Sequence, residues 1–140
     1  MKIKIAILGS TGSIGKTLWD IIRKDRKNFE IILLTANKNY KLLLKQAKEF
    51  KVNNLIITNK KEFDLIKNDS IKLNLNIYNN FVNFSKIFTN KVDYTMSSIT
   101  GINGLEPTLK IIKYSKRIAI ANKESIICGW NLINKELKKN

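Results

Sequence analysis

The stretch IKIAILGSTGSIG at residues 3–15 decides the fold of this chain. Its first six residues form a mostly apolar, β-branched run that is typical of a buried strand, and three glycines follow it at once. Beyond the third glycine, Leu18, Ile21 and Ile22 lie at helical spacing. A strand, a glycine-rich turn and a helix in this order predict the start of a βαβ unit with a nucleotide-binding turn.

The rest of the chain repeats this alternation of strand and helix. Short apolar runs predict strands at residues 3–8, 29–36, 54–58, 75–78, 93–97 and 117–121. Amphipathic spacing predicts helices at residues 14–24, 40–50, 60–67, 81–88, 106–114 and 124–138. We therefore expect one domain over residues 1–140 with a Rossmann-like α/β fold, a doubly wound, mostly parallel sheet with helices on both faces.

The last predicted helix carries apolar residues at helical spacing. We expect them to form one buried stripe, made of Ile126, Trp130, Ile133 and Leu137.

Composition excludes several classes of protein. The single cysteine, Cys128, excludes a disulfide framework, and the absence of histidine excludes His-ligated metal sites, Ser-His-Asp triads and Cys-His dyads. No apolar run approaches the roughly 20 residues that span a bilayer. The N-terminus also lacks the pattern of a signal peptide. We expect a cytoplasmic protein with no membrane partner.

The net charge of +15 suggests nucleic-acid binding at first sight. However, Lys outnumbers Arg by 23 to 3, and the lysines are spread over every segment. Proteins that read nucleic acids cluster their charge and favour Arg for bidentate contacts. We interpret the charge as a solvated surface and expect no nucleic-acid partner, so that a basic nucleic-acid binder is the least favoured alternative.

The glycine turn has the spacing Gly-x-x-Gly-x-x-Gly. Gly9 permits the tight turn out of the strand, Gly12 allows a phosphate to approach the backbone, and Gly15 lets the helix pack against the strand. The amide groups at the start of the helix would then hold a diphosphate. Three hydroxyl groups would add donors, those of Ser10, Thr11 and Ser13. The alternative is an ordinary tight loop between a strand and a helix.

The residues after the second strand select the dinucleotide. Enzymes that use NAD usually carry a carboxylate there, which grips the ribose hydroxyls. Here the sequence is Asn37-Lys38-Asn39, and Lys38 would attract a 2′-phosphate while the two asparagines add hydrogen bonds. The sequence therefore favours NADP over NAD. The alternative is an ordinary loop in which Asn39 caps the next helix.

Two more loops follow predicted strands, where open parallel sheets bind ligands. The stretch MSSITGING at residues 96–104 is small, polar and flexible, and it would lie against the nicotinamide half of a cofactor or serve as a plain connection. The stretch ANKES at residues 121–125 brings together an amide, an ammonium and a carboxylate. Glu124 suits the first turn of a helix, whereas Lys123 could polarise a carbonyl or hold a hydroxyl or phosphate.

Four motifs together resemble the NADPH-binding domain of the 1-deoxy-D-xylulose 5-phosphate reductoisomerase family. They are GSTGSIG at 9–15, ANKN at 36–39, SITGINGL at 98–105 and ANKES at 121–125. The resemblance covers essentially the whole chain. It implies the conversion of 1-deoxy-D-xylulose 5-phosphate to 2-C-methyl-D-erythritol 4-phosphate in the non-mevalonate pathway of isoprenoid biosynthesis, by rearrangement and hydride transfer from NADPH. It also implies a divalent metal (Mg or Mn) and a homodimer for the full-length enzyme.

The resemblance also assigns roles to individual positions. The contacts to the NADPH phosphates and ribose fall on Thr11, Gly12, Ser13 and Ile14, and we expect Gly9 and Ser10 to belong to the same cofactor-binding turn. The surroundings of the adenosine 2′-phosphate fall on Asn37, Lys38 and Asn39, although many family members have Gly in place of Asn37. The nicotinamide side falls on Asn122 and Glu124, and the contact to the sugar-phosphate substrate falls on Lys123.

The family's metal-binding Asp-Ser-Glu group and its mobile lid fall after the region that this chain resembles. We therefore expect no catalytic residue and no metal ligand within residues 1–140, weak NADPH binding and no turnover by these residues alone. Two alternatives stay open at this point. One is the cofactor domain of another NADP-linked oxidoreductase, such as a semialdehyde dehydrogenase, and the other is a non-catalytic truncated remnant.

Overall fold

A computed structural model describes the backbone of residues 1–140 and every side chain except those of Asp69 and Ile71. Six strands form one sheet, namely β1 (Ile3–Leu8), β2 (Phe29–Ala36), β3 (Asn54–Ile57), β4 (Asn76–Tyr78), β5 (Tyr94–Ser97) and β6 (Ile118–Ile120). All neighbouring strands are parallel, in the order β4-β3-β2-β1-β5-β6. The predicted Rossmann-like fold is confirmed, with a sheet that is entirely parallel.

The strands alternate with helices along the chain. The helices are α1 (Ser13–Lys24), α2 (Tyr40–Phe50), α3 (Lys60–Ile66), α4 (Ser70–Leu73), α5 (Phe84–Ile87), α6 (Leu105–Ile111) and α7 (Lys123–Lys139). The predicted helix at 81–88 is a 3-10 turn followed by α5, and the one at 106–114 is α6 followed by a 3-10 turn. Within the described part of the chain, no helix has the length and apolar character needed to cross a membrane.

The sheet separates two apolar layers, and the central strand β1 contributes to both. Its Ile5 and Ile7 face the layer that α1 and α2 complete, whereas Ala6 and Leu8 face the layer that α5 and α6 complete. All four side chains are almost fully buried. Burial on both faces explains why β1 reads as a continuous apolar run after Lys4 instead of an alternating one.

The buried side of α7 differs from the predicted stripe. The buried residues of α7 are Ser125, Gly129 and Ile133, while Trp130 and Leu137 are 50% and 42% exposed. The small residue Gly129 lies directly against the Leu105 side chain of α6. Because α7 turns this small side toward α6, the prediction that Trp130 and Leu137 are buried is wrong.

The side on which successive strands join the sheet changes at β1. From β1 the chain adds β2, β3 and β4 on one side, and it then returns to add β5 and β6 on the other side. The loops after β2, β1, β5 and β6 therefore lie side by side at the carboxyl edge of the sheet. In open parallel sheets, this switch point is where ligands bind.

Candidate functional site

The turn after β1 is fixed by its contacts with β2. Gly9 has φ +83°, in the left-handed region that favours glycine, and its N–H donates to Thr35 Oγ1 at 2.8 Å. The next amide, of Ser10, donates to the Thr35 carbonyl at 2.9 Å, and the Gly12 amide donates back to the Gly9 carbonyl at 3.1 Å. The role predicted for Gly9 in the tight turn is confirmed.

Helix α1 packs directly on this turn. A Cβ atom at Gly15 would lie 2.6 Å from Ser10 Cα and would overlap the Gly9 carbonyl oxygen. Only a glycine lets the helix approach the turn so closely, which confirms the packing role predicted for Gly15. The outer part of the turn, at Gly12, Ser13 and Ile14, is exposed, and Thr11 is half-buried.

The N-terminus of α1 has no side-chain cap. Its N-cap residue is Gly12, which has no side chain to accept a hydrogen bond, and its first turn contains no acidic residue. In contrast, asparagine side chains cap α2, α3 and α7. The first amide groups of α1 and the positive end of its dipole therefore face the carboxyl edge of the sheet without a protein acceptor at the cap.

Ser10 contributes differently from the prediction. Its side chain is fully buried, and its hydroxyl donates to Gln46 Oε1 of α2 at 2.8 Å. Gln46 Nε2 in turn donates to the Ser10 carbonyl at 3.2 Å. This placement corrects the expectation that the Ser10 hydroxyl is a donor for a phosphate, because the hydroxyl faces the interior.

The loop after β2 lies beside the glycine turn and is exposed along Asn37, Lys38 and Asn39. Asn39 Oδ1 accepts from the Leu42 amide at 3.2 Å. Asn39 therefore caps α2, as the second of the two predicted alternatives for this loop states. No hydrogen bond or ion pair engages the Lys38 side chain within the described part of the molecule. Its ammonium is therefore available to an anion that binds between this loop and the glycine turn.

The loops after β5 and β6 are joined to one another by Asn122. This residue is 5% exposed, and its Nδ2 group donates to the carbonyls of Ile99 and Gly101. Its Oδ1 atom accepts from the Ser125 amide at 2.9 Å, which caps α7. Both ends of the side-chain amide are thus used within the protein. Any contribution of the Asn122 side chain to the nicotinamide side acts through the position of the loops.

Lys123 and Glu124 follow at the start of α7. Lys123 is exposed, Glu124 is half-buried, and neither has an ion-pair partner among the described side chains. The β5 loop is also tied to the start of the glycine turn, because Ser98 Oγ donates to the Leu8 carbonyl at 2.7 Å and lies 3.3 Å from the Gly9 carbonyl oxygen. The carboxyl edge therefore brings together the four loops that the sequence singled out.

The described side chains provide no metal site. Among them, no three Asp, Glu or Cys residues lie close enough together to hold an ion. Among the described carboxyl groups, those of Asp64 and Asp93 have clearly lowered pKa values, and neither residue belongs to one of the four loops. The ammonium groups of Lys60 and Lys67 lower the pKa of Asp64. Asp93 accepts hydrogen bonds from Lys116 Nζ and from the Lys4 amide, and they lower its pKa.

An apolar cleft of about 480 Å³ lies at the opposite edge of the sheet. Its lining includes Ile3, Phe29, Tyr94 and Arg117, which stand at or next to the amino ends of β1, β2, β5 and β6. Since the described residues that line this cleft include neither the first residues of an α-helix nor a glycine turn, the cleft does not offer the groups that a dinucleotide needs.

Sequence reasoning missed two residues that shape the site, Thr35 and Gln46. Both are polar and almost fully buried, at 1% and 2% exposure. The available signal was a polar residue inside an apolar pattern: Thr35 interrupts the run FEIILLTA, and Gln46 lies between Leu43 and Ala47 on the buried side of α2.

A parallel sheet with its order reversed at β1, a glycine turn and an open helix N-terminus define the Rossmann class of α/β domains, which bind ligands at the switch point. More narrowly, the chain belongs to the 1-deoxy-D-xylulose 5-phosphate reductoisomerase family, whose model matches residues 5–129. This membership excludes the cofactor domain of an unrelated NADP-linked oxidoreductase, which the sequence had left open.

Similar proteins carry the same family name. The 1-deoxy-D-xylulose 5-phosphate reductoisomerase of Pelagibacter ubique is 58% identical over 97% of this chain and 36% of its own length. That of Wolbachia pipientis is 36% identical over 97% of this chain and 35% of its own. The chain thus spans about a third of the length of these curated relatives.

Solved structures agree with the fold. The reductoisomerase from Zymomonas mobilis in complex with NADPH has a TM-score of 0.87 at 28% identity, and the match covers 99% of this chain and 37% of that one. A reductoisomerase in complex with NADPH, fosmidomycin and magnesium has a TM-score of 0.86 at 29% identity, with 99% and 34% covered.

Proposed function

We propose that this chain binds NADPH at the carboxyl edge of its sheet, as the cofactor-binding part of a 1-deoxy-D-xylulose 5-phosphate reductoisomerase. The observation that carries the proposal is the uncapped N-terminus of α1, which opens between the loops after β2 and β5. Two structures of the family with a similar fold, in complex with NADPH, support the same cofactor.

In this proposal the diphosphate lies on the glycine turn. The backbone amides of Thr11, Ser13 and Ile14 donate to its oxygens, helped by the hydroxyls of Thr11 and Ser13, whereas the Gly12 amide closes the turn on the Gly9 carbonyl. The positive end of the α1 dipole favours the negative charge. Gly9 and Ser10 contribute by holding the turn, since their amides are engaged with Thr35.

The adenosine 2′-phosphate lies against Asn37, Lys38 and Asn39. The Lys38 ammonium supplies an attractive charge, and no described carboxylate neutralises it. Asn37 and the unused part of the Asn39 amide add hydrogen bonds. A site with this composition prefers NADPH to NADH, because NADH offers no phosphate to Lys38.

The nicotinamide end extends toward the loops after β5 and β6. Asn122 holds those loops together, and Glu124 at the first turn of α7 lines this side. Lys123 is exposed beside it and supplies an ammonium to a sugar-phosphate substrate. In such a site the protein orients the two reactants so that the hydride donor faces its acceptor.

Catalysis requires more than the described residues supply. We propose that a protein with the full length of the relatives converts 1-deoxy-D-xylulose 5-phosphate with NADPH and a divalent metal, and that it acts as a homodimer. Residues 1–140 alone would bind the cofactor and turn over no substrate, because their described side chains hold no group of metal ligands.

The first test is a fluorescence titration of the 140-residue chain with NADPH and, in parallel, with NADH. We expect saturable binding of both, with a tighter dissociation constant for NADPH. We also expect NADPH to raise the melting temperature of the chain, because a ligand that binds only the folded state stabilises that state.

Three results would each contradict one part of the proposed function. If neither dinucleotide binds at millimolar concentration, the proposed function fails. If NADH binds as tightly as NADPH, the assignment of Lys38 to the 2′-phosphate fails. Measurable NADPH consumption by the chain with substrate and metal would refute the claim that these residues alone are inactive.

A further inference from the structure

We propose that Gln46 is a positioning residue for the cofactor, which turns the Thr11 N–H toward the diphosphate by holding the Ser10 carbonyl. The inference rests on the proposed function. Gln46 lies in the middle of α2, is 2% exposed, and makes both of its described side-chain hydrogen bonds with Ser10. It therefore acts on the cofactor only through the glycine turn.

The two hydrogen bonds between Gln46 and Ser10 have only one consistent arrangement. A carbonyl oxygen accepts and cannot donate, so the Ser10 carbonyl must face the Gln46 amide nitrogen, at 3.2 Å. The Gln46 oxygen then accepts from the Ser10 hydroxyl at 2.8 Å. One side chain thus grips both the main chain and the side chain of the same residue in the turn.

The geometry of the peptide bond carries this grip to the next residue. The Ser10 carbonyl and the Thr11 N–H belong to one planar trans peptide unit, in which they point in opposite directions. Because Gln46 holds the carbonyl toward the interior, the Thr11 N–H is turned toward the loop opening. Among the described residues this N–H has no hydrogen-bond acceptor.

Gln46 is a polar residue with apolar, buried neighbours on the same side of α2. Leu43 and Ala47, on the same side of α2, belong to the apolar core and are 0% and 1% exposed. An amide buried among such residues is unfavourable unless its polar atoms are paired. Both polar groups of the Gln46 amide form hydrogen bonds with Ser10. These bonds link α2 to the glycine turn. Because Asn39 caps α2, they also link the proposed 2′-phosphate loop to the turn that would hold the diphosphate.

The test compares Gln46→Met with a matched control, Ala47→Gly, in the full 140-residue chain. Met has a similar volume and no amide, whereas Ala47→Gly weakens the same helix at an adjacent buried position without touching Ser10. We expect Gln46→Met to weaken NADPH and NADH by the same factor, about tenfold, because both carry the diphosphate. Ala47→Gly should lower the melting temperature and leave both affinities unchanged.

Amide resonances separate positioning from general destabilisation. In ¹⁵N spectra without cofactor, Gln46→Met should shift the Thr11 amide strongly, and Ala47→Gly should not. The inference is overturned if Gln46→Met binds both dinucleotides like the unchanged chain. If the unchanged chain binds neither dinucleotide, the proposed function and this inference fall together, whereas normal binding by Gln46→Met removes the inference alone.

A second variant, Gln46→Glu, tests the same link if Gln46→Met does not fold. A protonated glutamic acid can donate to the Ser10 carbonyl and accept from the Ser10 hydroxyl, whereas a carboxylate repels the carbonyl. The charged groups lining the groove beside Gln46 are Lys16, Asp20, Arg23, Lys45 and Glu49. We expect NADH affinity, relative to the unchanged chain, to recover as the pH falls. The inference is overturned if Gln46→Glu binds NADH with the same affinity as the unchanged chain at every pH.

Discussion

The N-termini of α1 and α7 occupy equivalent places in the fold but are built in opposite ways. Both helices begin just after a parallel strand, at the carboxyl edge of the same sheet. At α1 the cap residue is Gly12, and no side chain occupies the amide groups of the first turn. At α7 the cap residue is Asn122, whose buried side chain accepts from Ser125 and fastens the loop after β5.

The difference shows how one fold separates binding from support. The open end of α1 leaves backbone amides for the cofactor that we propose, and it lacks the stability that a side-chain cap adds. At the closed end of α7 the Asn122 side chain occupies the Ser125 amide, and the exposed Lys123 and half-buried Glu124 begin the helix beside it.

The largest effect is expected when the open end of α1 is closed. Gly12 has an extended backbone, and a Cβ atom there would meet only the Gly9 carbonyl at an ordinary 3.4 Å. Gly12→Asp should therefore fold and gain about 0.5 kcal/mol from capping and the dipole. Its carboxylate competes for the same amides and repels the diphosphate, so that NADPH affinity should fall by about 100-fold or more.

The neutral variant Gly12→Asn separates the two causes in that experiment. It caps α1 without a charge and should weaken NADPH less than Gly12→Asp does. Unchanged NADPH affinity in Gly12→Asp, measured by calorimetric titration, would show that the α1 terminus does not hold the diphosphate.

The second effect concerns the closed end of α7. Asn122→Ala removes the cap and the side-chain donor to the carbonyls of Ile99 and Gly101, of which Gly101 keeps the Gly104 amide as a donor. We expect the free energy of unfolding to fall by about 2 kcal/mol in urea denaturation. Asn59→Ala is the matched control, since Asn59 caps α3 through a single bond to the Glu62 amide and should cost about 1 kcal/mol. Equal losses would mean that Asn122 is only a cap.

A smaller effect tests the charge beside the open end. Lys38→Ala should weaken NADPH about tenfold and leave NADH unchanged, because only NADPH carries the 2′-phosphate. Lys48→Ala, at the far end of α2, is an exposed lysine in the same helix and should change neither affinity. A parallel loss of NADH affinity in Lys38→Ala would show that Lys38 acts on the shared part of the cofactor.

The smallest effect is expected at the amino edge of the sheet, opposite the proposed cofactor site. The hydrogen bond from Lys116, and then that from the Lys4 amide, hold the pKa of Asp93 below its ordinary value. A carboxyl group whose pKa is lowered by folding stabilises the fold above its unfolded pKa, and this stabilisation is lost as the pH falls through the folded pKa.

Asp93→Asn should therefore lower the melting temperature slightly at neutral pH and by less at about pH 3, because the stabilisation is lost as the pH falls through the lowered folded pKa of Asp93. NADPH affinity should be unchanged at neutral pH. Circular dichroism at the two pH values checks the first part. A difference that grows toward low pH would contradict the assigned sign.

Much of the fold follows from local sequence. The apolar runs predicted all six strands to within one residue at each end. The central strands β1, β2 and β3 leave the least ambiguity, because most of their residues are buried on both faces of the sheet. The helix α4 was not predicted, since four residues leave too short a pattern. The stripe on α7 was misplaced because a glycine, which carries no apolar signal, decides the side that faces α6.

The site was predictable where the chemistry is in the backbone and in charges. The glycine turn, Lys38 and the position of the four loops follow from motifs next to strand ends. The inward orientation of Ser10 and the double role of Asn122 do not, because each depends on a partner distant in sequence, Gln46 for Ser10 and Ile99 for Asn122. Contacts of that kind are set by the tertiary structure.

The most direct measurement of the central claim is a ¹⁵N chemical-shift titration of the chain with NADPH. The account predicts that the largest shifts fall on the amides of residues 11–15 and on the loop at 37–39, with little change along the amino edge near Ile3 and Phe29. Shifts centred on that edge, or none at saturating NADPH, would contradict the assignment of the open end of α1 to the cofactor.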